Sequence, residues 1–186
     1  MDSYTKNQSL IHMKAYLYIA ILALIVACKP SYIPAPSTEL QADSIYTKMH
    51  LQKYGDYYSS GYQVYAIDLL SEGLEFDEEF HISGTGYNLY LSDVFAPKDS
   101  TRRMPAGTYY MDSTILDMHF LQGKDFEGSI TGTYLLYIQN NQLQGITLFS
   151  SGKMTVEYIG KDILLDFDLY TKDSIRYHAT YQGAAK

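Results

Sequence analysis

Cysteine and tryptophan are almost missing from this chain of 186 residues. Cys28 is the single cysteine and tryptophan is absent, so no disulfide can form within one chain. A domain of roughly 140 residues buries about two thirds of its unfolded surface and needs no such crosslink to fold. No stretch after Cys28 is apolar enough to require lipid. These absences exclude a disulfide framework and predict a domain that folds in water.

Positive charge is also scarce. The chain carries 14 basic and 21 acidic side chains, a formal net charge of −7. Residues 1–27 contain Asp2, Lys6 and Lys14, so 12 basic and 20 acidic side chains remain without them, a net charge of −8. Phosphate backbones repel such a surface. Nucleic acid is therefore excluded as a partner.

The longest apolar run lies near the N-terminus. Residues 15–27 (AYLYIAILALIVA) form an uncharged stretch of 13 residues that follows Lys14. A bilayer-spanning helix needs about 20 apolar residues, so the length favours the hydrophobic region of a signal peptide over a transmembrane anchor. Residues 1–12 are polar and fit no part of a signal peptide, which makes Met13 a possible true start.

The run ends in Ile25-Val26-Ala27-Cys28, which resembles the lipobox of bacterial lipoproteins. The resemblance implies a signal peptide over residues 1–27, cleavage between Ala27 and Cys28, and diacylglycerol on the Cys28 thiol. Two or three acyl chains anchor a protein stably to a membrane. Lys29 stands where an Asp would signal retention in the inner membrane, so we expect the outer membrane, with the periplasmic or surface-facing side left open.

A proline-rich tether is predicted between the lipid and the domain. Residues 28–45 contain Pro30, Pro34 and Pro36. Such a segment is held extended at about 3 Å per residue and acts as a semi-rigid spacer. The domain is then expected over residues 46–186.

That domain is predicted to be all-β, because short period-2 alternations are separated by Gly, Asn, Asp and Ser. The C-terminal third predicts an antiparallel meander of three strands. Its expected inward side chains are Met154, Val156, Tyr158, Ile163, Leu165, Phe167, Leu169, Ile175, Tyr177, Ala179 and Tyr181. Its expected solvent-facing side chains are Lys153, Glu157, Asp166, Asp168, Arg176 and His178.

Upstream, further strands are predicted at 54–59, 62–70, 87–93, 107–111, 129–138 and 145–149. About nine strands suit either an antiparallel sandwich, jelly-roll-like in form, or a barrel. At most one short helix is expected, at 112–122, because a capping Asp112 or Ser113 precedes apolar residues at helical spacing.

A second resemblance involves five runs: YGDYYSSGYQVYAIDL, GTGYNLYLSDVFAP, MPAGTYYMDS, EGSITGTYLLYI and YHATYQG. Together they resemble a tyrosine-rich domain of uncharacterised Bacteroidota lipoproteins, over most of residues 50–183. These motifs are structural, so the resemblance implies a fold type and no activity.

Motifs of catalysis and metal binding are not evident. His50, His81, His119 and His178 form no closely spaced pair of the kind that zinc sites show. The acidic stretch at 72–79 lacks calcium-loop spacing and predicts a solvated loop whose partners would be neutral or basic. No Gly-x-Ser-x-Gly elbow occurs. We therefore expect no enzyme activity, no metal and no cofactor.

Tyrosine is the one strong compositional excess, with 20 residues. Adjacent aromatic residues on a strand point to opposite faces, so some tyrosines must face outward and offer rings to a ligand. The predicted binding surface comprises Tyr58, Tyr62, Tyr90, Tyr110 and Tyr137; alternatively, these rings only fill half-buried sheet surface. The function that follows is a non-catalytic binding or accessory module for a glycan or an envelope protein. Two alternatives are a lipocalin-like carrier of a small apolar ligand and a hydrolase with a dispersed carboxylate site.

Overall fold

The computed structural model describes residues 44–98 and 103–184. The predicted signal peptide, cleavage site, Cys28 and nearly all of the tether lie outside the described residues. All regular secondary structure in the described ranges is β-strand: β1 (Ser44–Gly55), β2 (Gln63–Ser71), β3 (Leu74–Phe76), β4 (Ile82–Gly84), β5 (Gly86–Ala96), β6 (Gly107–Asp112), β7 (His119–Leu121), β8 (Lys124–Phe126), β9 (Ser129–Thr131), β10 (Thr133–Gln139), β11 (Gln142–Ile159), β12 (Asp162–Thr171) and β13 (Arg176–Gly183). The all-β prediction is confirmed.

Nine of these strands form one sheet that closes on itself. The hydrogen-bonded order is β10-β11-β12-β13-β1-β2-β5-β7-β6, and β10 also pairs with β5 while β11 also pairs with β6. The sheet is mixed, because β1 runs parallel to β13 and β6 runs parallel to β7. The remaining pairs are antiparallel, including the predicted C-terminal meander of β11, β12 and β13.

Strand β11 replaces two strands that the sequence predicted separately. Its first half pairs with β10 and its second half pairs with both β12 and β6. The chain passes through residues 150–152 without leaving the strand, with a bulge after Phe149. A Cβ at Gly152 would lie 2.4 Å from the Asp168 carbonyl oxygen, so only glycine permits this close strand contact.

The first strand was predicted in the wrong place. Residues 54–59 are the end of β1 and a turn, whereas β1 begins at Ser44. A bulge at Thr47 shifts the register between Tyr46 and Lys48. This extra residue breaks the period-2 pattern by which a strand is recognised in the sequence.

The short helix predicted at 112–122 is absent. The Asp112 carboxylate accepts hydrogen bonds from the backbone N–H and the hydroxyl of Thr114, which forms a turn in place of a helix cap. Met118 has a φ of 55°, and the chain enters β7 at the next residue. The loop is closed by backbone hydrogen bonds from Tyr110 N to Met118 O and from Gln122 N to Asp112 O.

The inner face of the closed sheet is filled with side chains. The predicted inward positions of β12 and β13 are buried, as are Met154 and Val156 of β11, and Tyr158 packs against this cluster. Ile175 was predicted to face inward, but it lies in the turn before β13 and is exposed. Tyr46 from β1 joins the core, and its hydroxyl lies 2.6 Å from that of Tyr177.

Candidate ligand-binding site

The outer face of β2, β5 and β10 carries a second set of large side chains. Leu89 and Leu135 point into the core, so their neighbours Tyr90 and Tyr134 point outward. These two tyrosines are directly opposite one another in the ladder, with ring centroids 5.3 Å apart. They form one wall of an aromatic surface.

The hairpin of β3 and β4 covers one end of this outer face. Leu74 is buried there with Leu70 and Ile138, and Phe76 and Ile82 pack against them. The predicted acidic loop is part of this hairpin. This small cluster does not cover the part of the sheet around Tyr90.

The end of β1 and the turn after it bring three more tyrosines to the surface. The shape of this turn is held by Asp56, whose carboxylate oxygens both accept from the Gly61 N–H at 3.1 Å. Tyr54, Tyr57 and Tyr58 are 43%, 69% and 43% exposed. The Tyr57 ring lies 6.1 Å from that of Tyr54 and 5.0 Å from that of Tyr58, the latter pair being nearly perpendicular at 88°.

These elements enclose a cavity of about 250 Å³. We call it the tyrosine pocket, and it is lined by Tyr54, Tyr57, Val64, Tyr90, Ser92 and Asp93. Three tyrosine rings and two polar side chains, those of Ser92 and Asp93, therefore converge on one opening. This combination of apolar wall and few polar anchors is typical of small-ligand sites.

The polar end of the tyrosine pocket is rigidly positioned. Asp93 accepts a 2.6 Å hydrogen bond from the Tyr58 hydroxyl and another from the Ser92 hydroxyl. Ser92 is in turn fixed by Gly132, whose N–H donates to Ser92 Oγ at 2.9 Å and whose carbonyl accepts from Ser92 N at 3.0 Å. The bond to Asp93, followed by burial, raises the pKa of Tyr58 to about 12, so this phenol stays protonated as a donor at neutral pH.

Asp68 lies opposite Tyr90 in the ladder of β2 and β5 and is not among the residues that line the pocket. Burial raises the pKa of its carboxyl to about 6, against a lowering effect of the hydrogen bond from the Asn88 side chain. Burial also raises the pKa of Tyr90, with smaller contributions from Tyr54 and Tyr134. The surface around the rings is therefore acidic and partly shielded from water.

The structure brings together only part of the predicted binding surface. Tyr90 lines the pocket and Tyr58 holds its carboxylate, whereas Tyr62 is partly buried at the end of the turn and is not among the lining residues. Tyr110 is 53% exposed on β6 beside His119. Tyr137 packs against Tyr87, with ring centroids 5.2 Å apart, on the face that carries Leu89.

Tyr54, Asp68 and Asp93 were missed as site residues. Tyr54 lies at the end of β1, and only the turn after β1 brings it together with Tyr57 beside Tyr90. The two carboxylates gave no signal because they share no motif and come from different strands. Only the pairing of β2 with β5 places them on the same outer face.

A second cavity, of about 380 Å³, lies between β1 and the β3–β4 hairpin. Its groups already engage one another: the His50 ring stacks on Phe80 with centroids 4.0 Å apart, and Lys48 Nζ contacts both Glu75 Oε1 at 2.8 Å and the Leu74 carbonyl at 2.7 Å. Burial lowers the pKa of His50. The stacked rings and paired charges of this cavity are therefore already in contact with other protein groups.

Comparison of the chain with protein-family models, with curated proteins and with solved structures gives no match. Within residues 44–98 and 103–184, no group of three or more His, Cys, Asp or Glu side chains is placed to hold a metal ion. The same ranges contain no helix that could cross a membrane.

Proposed function

We propose that this chain is a lipid-anchored lipoprotein of the bacterial outer membrane whose β domain binds a glycan in the tyrosine pocket. The observation that carries the proposal is the arrangement of Tyr54, Tyr57 and Tyr90 around a fixed carboxylate and hydroxyl. The C–H face of a pyranose ring packs on aromatic rings, while its hydroxyls need fixed acceptors and donors. Asp93 and the Ser92 hydroxyl oxygen supply fixed acceptors.

A binding role without catalysis is supported by how the carboxylates are used. Asp93 already accepts bonds from Tyr58 and Ser92. On the outer face of β12, Asp168 lies 2.7 Å from Arg176 and Asp166 lies 3.3 Å from His178. These carboxylates act as acceptors in fixed contacts, which suits orientation of a ligand rather than proton transfer to one.

The carrier alternative has less support. A lipocalin-like protein encloses its ligand within the sheet, so the inward positions must leave a void. Here the inward positions hold large buried side chains that form one cluster, including Tyr109, Phe120, Phe149 and Phe167. Open aromatic surface is instead found on the outer face.

Membrane anchoring is proposed from the lipobox resemblance at Ile25 to Cys28. Metabolic labelling with a clickable palmitate analogue tests it in cells that express the full chain. The wild type should take up label and Cys28→Ser should not. Equal labelling of the two chains would refute anchoring through Cys28.

Glycan binding is tested by screening the full chain, purified in detergent, on an array of bacterial and dietary glycans. The wild type should bind a defined subset, and the double variant Tyr57→Ala/Tyr90→Ala should lose at least about tenfold in affinity, equivalent to about 1.4 kcal/mol. Tyr110→Ala is the control, because that ring is 53% exposed but lies outside the pocket. Equal loss in the control would place binding elsewhere.

A further inference from the structure

We propose that the tyrosine pocket selects a positively charged sugar, a hexosamine unit with a free ammonium group, over neutral and acidic sugars. This inference rests on the proposed glycan binding and specifies its ligand class. It follows from the charge and ring geometry of the pocket.

The charge of the pocket has one sign. Asp93 is the one charged side chain among the residues that line it in the described part of the chain. Asp68 lies opposite Tyr90 in the ladder and adds a second carboxyl group on the same outer face. The nearby Lys98 is drawn to the turn, with its Nζ 3.8 Å from Asp56 Oδ2. An acidic sugar would therefore meet repulsion, whereas an ammonium group would meet attraction.

The rings of the pocket also favour a cation. The faces of aromatic rings carry negative partial charge and attract an ammonium group within about 6 Å of the centroid. Tyr54 and Tyr57 lie 6.1 Å apart at 57°, so their faces are inclined to one another beside the cavity, and Tyr90 contributes a third ring. A cation at this point contacts ring faces and a carboxylate together.

The acceptors of the pocket suit the hydrogen-bond donors of an amino sugar. The ammonium group donates up to three hydrogen bonds, and Asp93 offers carboxylate oxygens as acceptors for them. Ser92 lies beside it for a ring hydroxyl. A neutral sugar would use the same rings but would leave the carboxylate with a weaker partner, so it should bind less tightly.

The test compares β1,4-linked oligomers of glucosamine, N-acetylglucosamine, glucose and glucuronic acid by isothermal titration calorimetry at pH 6.5 with the full chain. The glucosamine oligomer should bind at least about tenfold tighter than the acetylated one, or about 1.4 kcal/mol. Glucuronic acid oligomers should bind weakest. The preference should shrink between 50 and 500 mM salt, because salt screens exposed charges.

Two variants make the test specific. Asp93→Asn keeps an acceptor for Tyr58 but removes the charge, so the preference for glucosamine should fall below about threefold, or about 0.7 kcal/mol. Asp173→Asn removes an exposed carboxylate in the β12–β13 turn and should retain the full preference. The salt dependence measured on the wild type tests the charge selectivity even if Asp93→Asn does not fold.

The outcomes separate the two proposals. Equal binding of the amino, acetylated and plain oligomers would overturn the charge selectivity and leave glycan binding standing. Absence of binding to all oligomers and to the glycan array would overturn glycan binding. Binding of choline without binding of any sugar would overturn both and identify a cage for quaternary ammonium groups.

Discussion

The Tyr58 hydroxyl donates a 2.6 Å hydrogen bond to Asp93 Oδ1 across 35 positions of sequence. This bond ties the turn after β1 to the outer face of β5. The same turn carries Tyr57, and the same carboxylate lines the tyrosine pocket. This one hydrogen bond therefore fixes both the position of the turn that carries Tyr57 and the orientation of the Asp93 carboxylate.

Tyr58→Phe removes that donor while keeping the ring. We expect a loss of about 1 kcal/mol in the free energy of unfolding, since hydrogen bonds to charged groups exceed neutral ones but this pair is partly exposed. Amide hydrogen exchange in residues 56–62 should also become faster. Urea denaturation and exchange by mass spectrometry measure the two effects. Tyr110→Phe is the control, and a similar loss there would contradict the assigned role of Tyr58.

Asp68 should make stability depend on pH. The pKa of its carboxyl is about 6 in the folded chain and about 3.9 when unfolded, so the folded state holds the proton more tightly. Stability is then greatest below pH 4 and falls as the pH rises from about 4 to about 6, by up to about 3 kcal/mol. Asp68→Asn should flatten that part of the profile.

Chemical denaturation at pH 4.5 and pH 7 measures this effect in both chains. Subtracting the variant's profile isolates the contribution of Asp68 from other titrating groups. Glu157→Gln, a change at an exposed position of β11, should keep the wild-type profile. A wild type that gains stability relative to Asp68→Asn between these two pH values would mean that the carboxyl is not desolvated.

Phe167 is fully buried at the centre of β12, between Asp166 and Asp168 on the opposite face. Phe167→Ala should cost about 3 to 5 kcal/mol, a large share of a typical total of about 5 to 15 kcal/mol. Asp166→Asn and Asp168→Asn weaken partly exposed contacts with His178 and Arg176 and should each cost at most about 1 kcal/mol. Denaturation midpoints compare the three variants. Severe Asp effects with a mild Phe effect would reverse the assigned faces.

Gly132 lies against the backbone next to the pocket. A Cβ there would come within 2.0 Å of the Gln122 carbonyl oxygen, whereas at Gly128 it would meet nothing within 4 Å. Both glycines have positive φ, so Gly132→Ala and Gly128→Ala share a backbone cost of about 1 to 2 kcal/mol. Of the two variants, Gly132→Ala should have the clearly lower melting temperature. It should also weaken glycan binding, because it would displace Ser92. Equal melting temperatures of the two variants would mean that the backbone around Gly132 can shift to accept a Cβ without loss of stability.

The all-β class and the inward residues of β12 and β13 could be predicted from sequence alone. Side chains alternate between faces in a strand, so a regular strand such as β12 records in its own residues which face is buried. The prediction failed where the backbone departs from that period. The bulge at Thr47 hid β1, Gly152 let two predicted strands merge into β11, and the Asp112 turn replaced a helix.

Closure of the sheet and formation of the tyrosine pocket were decided by tertiary structure. Closure depends on β10 pairing with β5 and on β11 reaching β6, contacts between segments far apart in the chain. The pocket likewise joins Tyr54 from the end of β1 and Tyr57 from the turn after it to Tyr90 and Asp93 of β5. Local alternation tells which face a side chain takes but carries no information about which strand lies beside it, because strand pairing is set by packing of the whole sheet.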